Sequence, residues 1–291
     1  MSEDIPHVFG PPDRPLVGIL SRPARPSDTA VLVIVGGPQY RIGSHRQFVS
    51  LARAVADAGH AVLRFDHGGM GDSAGDAQDF ESLDSDIALA LDLLFAQIPG
   101  LRQVVLWGLC DGASAALLYW HARRDRRVGG MCLLNPWTRS AQSLARTHVR
   151  HYYLQRLRQP TFWRKLLSGG VAWAALRGLL GNLRAARRPS GQTGDAALSF
   201  QDRMARAWRD SDVPLLLLLS GDDYTAKEFL ETVHTSPAWN GALTRRALTH
   251  EDLADADHTF SDPDAKRAVE ARTIAWLSGL ASPLPSDGAR S

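Results

Sequence analysis

Runs of consecutive apolar residues alternate with amphipathic stretches along most of the chain. Val31-Leu32-Val33-Ile34-Val35 is a continuous, largely β-branched run, the pattern of a strand buried on both faces. A stretch from about Ser44 places Phe48, Leu51, Ala52 and Val55 on one face and closes at Gly59, as a helix would. Ala61 to Phe65 then predicts a second strand, and Leu83 to Ile98 a helix that buries Ile87, Ala90, Leu91 and Leu94 before Pro99-Gly100 stops it. Val104-Val105-Leu106-Trp107 and Met131-Cys132-Leu133-Leu134 predict two more buried strands, with an apolar helical stripe of Ala113, Ala116, Leu117 and Trp120 between them. The alternation lapses from Trp137 to about Arg209 and resumes with a strand at Val213 to Leu219. A helix from about Ala226, a short strand near Arg246 to Leu248 and a final helix carrying Val269, Trp276, Leu277 and Leu280 complete the pattern. Leu16 to Leu20, after the turn-rich Gly10 to Asp13, belongs to a hairpin at the start of the sheet. Repeated strand–helix units of this kind imply a parallel sheet covered on both faces, with functional residues at the carboxyl ends of the strands.

The junction between the Val104 strand and the following helix reads Gly108-Leu109-Cys110-Asp111-Gly112. It has the G-x-S-x-G spacing of an α/β-hydrolase nucleophile elbow, with sulfur in place of the hydroxyl. Such a turn holds one side chain clear of the backbone and aims the N–H groups of a helix N-terminus at whatever that side chain attacks. The expected fold is therefore α/β-hydrolase: a mostly parallel sheet with helices on both faces and a helical lid inserted after the sixth core strand. The domain reading is residues 1–136 as the first part of the core, 137–209 as a basic helical lid, 210–280 as the second part of the core, and 281–291 as a frayed tail.

In this fold the catalytic groups follow the order nucleophile, acid, histidine. Cys110, then Asp223 with Asp222 as the reserve, then His258 satisfies it, each at the end of a strand. A carboxylate at Asp222 or Asp223 could equally cap the helix that follows. Asn135 occupies the other common position for the acid and cannot act as a carboxylate. The oxyanion hole is expected from the N–H of Asp111 and a second N–H in Gly36-Gly37-Pro38-Gln39; proline has no donor, which leaves Gly37 or Gln39. Cys132, in the middle of a strand, reads as core packing. The glycine-rich Asp66 to Asp72 lacks the lysine and spacing of a phosphate loop and reads as a structural turn at the rim of the site. No cofactor and no metal are expected.

Composition is ordinary for a globular protein, with 44% hydrophobic and 22% charged residues and a net charge of +2 among 291 residues. That small net charge conceals an asymmetry. From Arg139 to Gly194 there are eleven basic residues and no acidic one, so the remainder is acidic on balance. Interleaved aromatics (Tyr152, Tyr153, Phe162, Trp163, Trp173) suit an anionic membrane surface or an anionic substrate better than nucleic acid, given the position beside the catalytic edge. With no apolar segment long enough to span a bilayer, no signal-like N-terminus and only two cysteines, the chain reads as cytoplasmic, with contact to the inner membrane open to the basic segment.

Three segments carry a closer likeness: Val35-Gly36-Gly37-Pro38-Gln39-Tyr40-Arg41 through Gly43 to Arg46, Trp107 to Ala113, and Leu219-Ser220-Gly221-Asp222-Asp223-Tyr224-Thr225-Ala226. Together they resemble the hydrolase 1 type of α/β-hydrolase associated with exosortase A systems. That resemblance implies a cytoplasmic enzyme working alongside exopolysaccharide production, on a small-molecule or a lipid- or glycan-linked acyl substrate. It does not choose between hydrolysis of an ester or thioester, acyl transfer through the same cysteine, and a fold retained as a non-enzymatic binding module.

Overall fold

The computed structural model describes residues 2–37, 39–139 and 198–280. Within them an eight-stranded sheet runs in the order β1-β2-β4-β3-β5-β6-β7-β8. The strands are β1 (Glu3–Phe9), β2 (Leu16–Arg22), β3 (Thr29–Ile34), β4 (Val62–Asp66), β5 (Gln103–Leu109), β6 (Val128–Leu134), β7 (Leu215–Asp222) and β8 (Leu248–Asp257). The first two form an antiparallel hairpin, β2 lies antiparallel to β4, and every other neighbouring pair is parallel. β3, β5 and β6 are apolar almost throughout because helices cover both of their faces.

Six helices do the covering: α1 (Gln47–Asp57), α2 (Asp84–Gln97), α3 (Asp111–Arg123), α4 (Phe200–Asp210), α5 (Tyr224–Thr235) and α6 (Pro263–Leu280). On one face, Phe48, Leu51 and Val55 of α1 and Val269 and Leu277 of α6 pack over Val31, Val33, Trp107 and Leu216. On the other, Ile87 and Leu91 of α2, Ala113 and Leu117 of α3, and Met204 and Trp208 of α4 pack over Leu32, Leu106 and Leu217. Cys132 is fully buried in the first of these layers, and burial pushes its thiol far above the ordinary range, as suits a packing residue.

Two expectations change. The short strand near Arg246 to Leu248 is in fact a ten-residue strand that pairs with β7 as far as Asp257. Its sequence, Leu-Thr-His-Glu-Asp-Leu-Ala-Asp-Ala-Asp, lacks an apolar run because β8 is the edge of the sheet and buries little; only Ala256 is buried. Secondly, α4 falls inside the stretch assigned to the lid yet belongs to the core. Ser199 caps it by accepting from the Asp202 N–H at 3.1 Å. Its Met204, Ala205, Ala207 and Trp208 are buried. The Trp208 ring stands 5.9 Å from Phe229 and 5.7 Å from Trp239, and its Nε1–H donates to the Ala242 carbonyl at 2.9 Å. Replacing Trp208 with alanine is expected to destabilise the fold by about 3–5 kcal/mol, measurable by denaturant unfolding; a loss under 1 kcal/mol would contradict the core assignment. The rest of the expected lid, with its basic segment and its anionic partner, lies outside the described residues, as does the tail from residue 281.

No described helix is long and apolar enough to cross a membrane.

Candidate active site

Six parallel strands end on one edge, and the residues or loops after β3, β5, β6, β7 and β8 converge there. Cys110 follows β5 with φ 60° and ψ −124°, a conformation that costs a non-glycine residue of order 1–3 kcal/mol and persists only where its surroundings enforce it. The enforcement is visible in the flanking glycines. A Cβ on Gly112 would lie 2.4 Å from the Ile34 carbonyl oxygen, and one on Gly108 2.4 Å from the Gly112 backbone. The elbow spacing is thus a packing requirement, because the start of α3 presses against the ends of β3 and β5. The Cys110 N–H donates to the Leu134 carbonyl at 2.9 Å, and its own carbonyl accepts from Trp137 N–H at 3.2 Å. Cys110 is partly exposed.

Asp223 follows β7 and is buried. One carboxylate oxygen accepts from Thr225 N–H and the other from Ala226 N–H, both at 3.1 Å, so the side chain caps α5. The second oxygen also lies 2.9 Å from His258 Nδ1. Capping and the contact to histidine, alternatives in the sequence, are therefore simultaneous. Burial disfavours the Asp223 carboxylate, but the His258 hydrogen bond and charge and the two N–H donors outweigh it and hold the group below its ordinary range. Asp222, the reserve acid, is exposed at the end of β7.

His258 follows β8. Its imidazole is hydrogen-bonded by Asp223 and also by Cys110; the charge of both groups adds to this, burial opposes it, and the result raises its pKa from 6.5 to about 10. At neutral pH the ring carries its proton while facing the sulfur. Cys110, the imidazole and the Asp223 carboxylate thus stand together, contributed by the ends of β5, β8 and β7.

Asn135, after β6, was set aside in the sequence as a failed acid. It is fully buried and sits at φ 43°, a left-handed conformation that asparagine tolerates better than most residues. Its Oδ1 accepts from Ser220 N–H at 2.8 Å, and its Nδ2 donates to Ser220 Oγ at 2.8 Å and to the His258 carbonyl at 3.2 Å. Ser220 Oγ in turn donates to the Asp257 carbonyl at 2.8 Å. Asn135 therefore ties the histidine loop to the centre of the sheet. The only sequence signal for it was a polar residue ending a buried strand.

These groups open on a cavity of about 300 Å³ lined by Gly36, Gly37, Gln39, Cys110, Trp137 and His258, among others. A larger one of about 640 Å³ lies between β8 and α6, but Thr249, Glu251, Arg272 and Trp276 on its walls include no nucleophile, so size does not locate the chemistry. Of the expected oxyanion donors, Gly37 and Asp111 both line the smaller cavity, but the Gly37 N–H is taken by the Asp111 carboxylate at 2.6 Å. Gln39 lines it too, and its side-chain Oε1 is buried there without a hydrogen-bond partner. The glycine-rich turn after β4 is structural: Asp66 accepts from Arg41 N–H at 2.7 Å and Asp72 N–H at 3.0 Å, fastening the Arg41 loop to it. No group of three or more His, Cys, Asp or Glu that could hold a metal occurs among the described residues.

Comparison with known proteins agrees with this architecture. Solved structures similar to the chain include an esterase from Pyrococcus furiosus, with a TM-score of 0.62 and 15% identity over 96% of this chain and 93% of that one. A monoacylglycerol lipase from Paleococcus ferrophilus matches with a TM-score of 0.56 and 20% identity over 90% of this chain and 98% of that one. Mouse alpha/beta hydrolase domain-containing protein 10 matches with a TM-score of 0.57 and 15% identity over 95% of this chain and all of that one. At such identities the likeness is one of fold. No curated protein matches the sequence. The model of the serine aminopeptidase S33 family matches residues 26–228, which include the oxyanion loop, the elbow and Asp223. The chain belongs to that family of α/β-hydrolases.

Proposed function

We propose that the protein hydrolyses an ester or thioester through a Cys110 acyl-thioester, with His258 moving protons and Asp223 orienting His258. The observation that carries this reading is that Cys110 and His258 line one cavity with the Asp223 carboxylate 2.9 Å behind the imidazole. In the first half-reaction the Cys110 thiolate attacks the acyl carbon. The bond to the leaving group then breaks, and the leaving alcohol or thiol takes the proton that His258 holds. In the second, His258 takes a proton from water, which attacks the thioester carbonyl. The C–S bond breaks, releasing the carboxylic acid and returning the sulfur to its starting state. Asp223 stabilises the imidazolium and fixes which ring nitrogen faces the sulfur.

The resemblance to exosortase-associated hydrolases favours a lipid- or glycan-linked acyl compound as the natural substrate. The test is to trap the covalent intermediate: incubate the protein with cell extract, quench in acid and weigh the Cys110 peptide by mass spectrometry. An acyl adduct on Cys110 that decays in water at the rate of turnover supports hydrolysis. An adduct stable in water but discharged by an added alcohol or amine would replace hydrolysis with acyl transfer, and no adduct on Cys110 under any acyl donor would sink both.

A further inference from the structure

The residue after the nucleophile supplies a side chain as well as a backbone donor, and that side chain lies where the acyl oxygen should go. We propose that Asp111 gates the oxyanion hole: its carboxylate occupies the hole at rest and must swing away, toward a second cavity behind it, before a carbonyl can be polarised. The inference rests on the acyl-thioester reading above and identifies the group that limits its first step.

Four observations support it. The Gly37 N–H donates to Asp111 Oδ2 at 2.6 Å, and the Gly112 N–H to Oδ1 at 3.1 Å. The Gly37 donor expected to hold an oxyanion is therefore satisfied by an anion the chain already carries. The place is built for that anion: a Cβ on Gly36 would lie 1.9 Å from Asp111 Oδ1, so only glycine there leaves room for the carboxylate. Asp111 also forms part of the wall between two cavities. One holds Cys110 and His258; the other, of about 220 Å³, is lined by His67, Gln78 and Asp79 as well as Asp111. Finally, burial raises the Asp111 pKa in spite of the N–H donors, with the charge of His67 among the weaker opposing influences. The carboxylate is held in place by backbone dipoles, without an ion pair among the bonds described.

The consequence is electrostatic. A tetrahedral intermediate places negative charge on the acyl oxygen, and the Gly37 and Asp111 N–H groups are positioned to bind it. With the carboxylate in the hole, the Gly37 donor is unavailable and the developing charge meets a like charge in a poorly solvated site. Rotation of the side chain toward His67 and Gln78 would remove both obstacles and supply the carboxylate with new donors.

The test compares wild type, Asp111→Ala and Asp111→Asn by two reactions of Cys110. Acylation by nitrophenyl acetate, read as the pre-steady-state burst, uses the oxyanion hole. Alkylation by iodoacetamide does not, and so corrects for any change in the reactivity of the sulfur. The gate predicts that the acylation rate, divided by the alkylation rate, rises about tenfold in Asp111→Ala. A rise of about threefold is expected in Asp111→Asn, whose neutral oxygen binds the same N–H groups less strongly. The asparagine variant is nearly isosteric and answers the question should the alanine variant fail to fold. An unchanged or lower ratio in both overturns the gate and makes Asp111 a support for the Gly37 loop. If wild type and Cys110→Ala release nitrophenol equally, the acyl-thioester reading fails first and the gate falls with it.

Discussion

Replacement of Cys110 by alanine is expected to lower the turnover of an activated acyl ester by about 10⁴-fold or more, leaving thermal stability close to that of the parent. The two expectations have separate causes. Cys110 is only partly buried, packed at the margin of one apolar layer and open to the cavity, so losing its sulfur opens no sealed cavity. Its backbone, at φ 60°, already bears a strain that alanine shares rather than adds to. The loss of rate follows because, among the described residues lining the cavity, Cys110 is the only thiol and no hydroxyl accompanies it. Whatever remains reflects binding and backbone donors. Cys110→Ser is expected to recover little. The His258 imidazole holds its proton mainly through Asp223, which serine does not remove, so it is a poor acceptor for a hydroxyl proton at neutral pH. Measuring kcat/KM for nitrophenyl esters with all three proteins decides the matter: a serine variant as fast as the parent would discredit the role given to the protonated imidazole.

The second large effect concerns Asp223. Asp223→Asn is expected to reduce kcat by about 10³–10⁴-fold, because an amide can present its N–H to His258 and favour the wrong tautomer. The pH profile is the more telling readout. In the parent, His258 keeps its proton until about pH 10, with the Asp223 hydrogen bond as the largest cause. Proton donation to the leaving group should persist to that region and fail above it. Removing the carboxylate brings the imidazole back toward its ordinary value of 6.5, so the alkaline limb of kcat/KM should move down by more than one unit. Stability follows the same pair. A raised His258 pKa means that its contribution is complete below 6.5 and is lost as pH rises through about 10. The lowered pKa of Asp223 means that its contribution is present above 3.8 and is lost as pH falls through its depressed value. An alkaline limb that stays in place in Asp223→Asn would show that the 2.9 Å contact does not govern the histidine.

The separation between Asp223 and Asp222 illustrates how neighbouring residues acquire different work. The last residues of β7 alternate in direction, and a bulge between Ser220 and Asp222 displaces the register against β8. Asp223 then leaves the strand, turns inward and meets the first N–H groups of α5, while Asp222 points to solvent. Neither the bulge nor the turn is visible in a string of two identical residues.

Much of the architecture was legible in the order of residues. Continuous apolar runs mark strands covered on both faces, and these are the elements whose identity depends least on context. The elbow was legible for a related reason: glycines two residues either side of Cys110 record a close approach of backbones that admits no side chain. β8 was not, since an edge strand satisfies its backbone on one side and can be polar nearly throughout. Nor was the place of α4, whose basic neighbourhood concealed one buried face with a tryptophan. Asn135 was out of reach for a different reason. Its value lies in bonds to Ser220 and to the His258 carbonyl, 85 and 123 residues away. The oxyanion loop shows the same division. Sequence offers Asp111, at the start of α3, and either Gly37 or Gln39 as the expected donors. Only folding brings the Asp111 carboxylate onto the Gly37 N–H, since hydrogen bonds between distant segments depend on which strands become neighbours, and local composition does not record that.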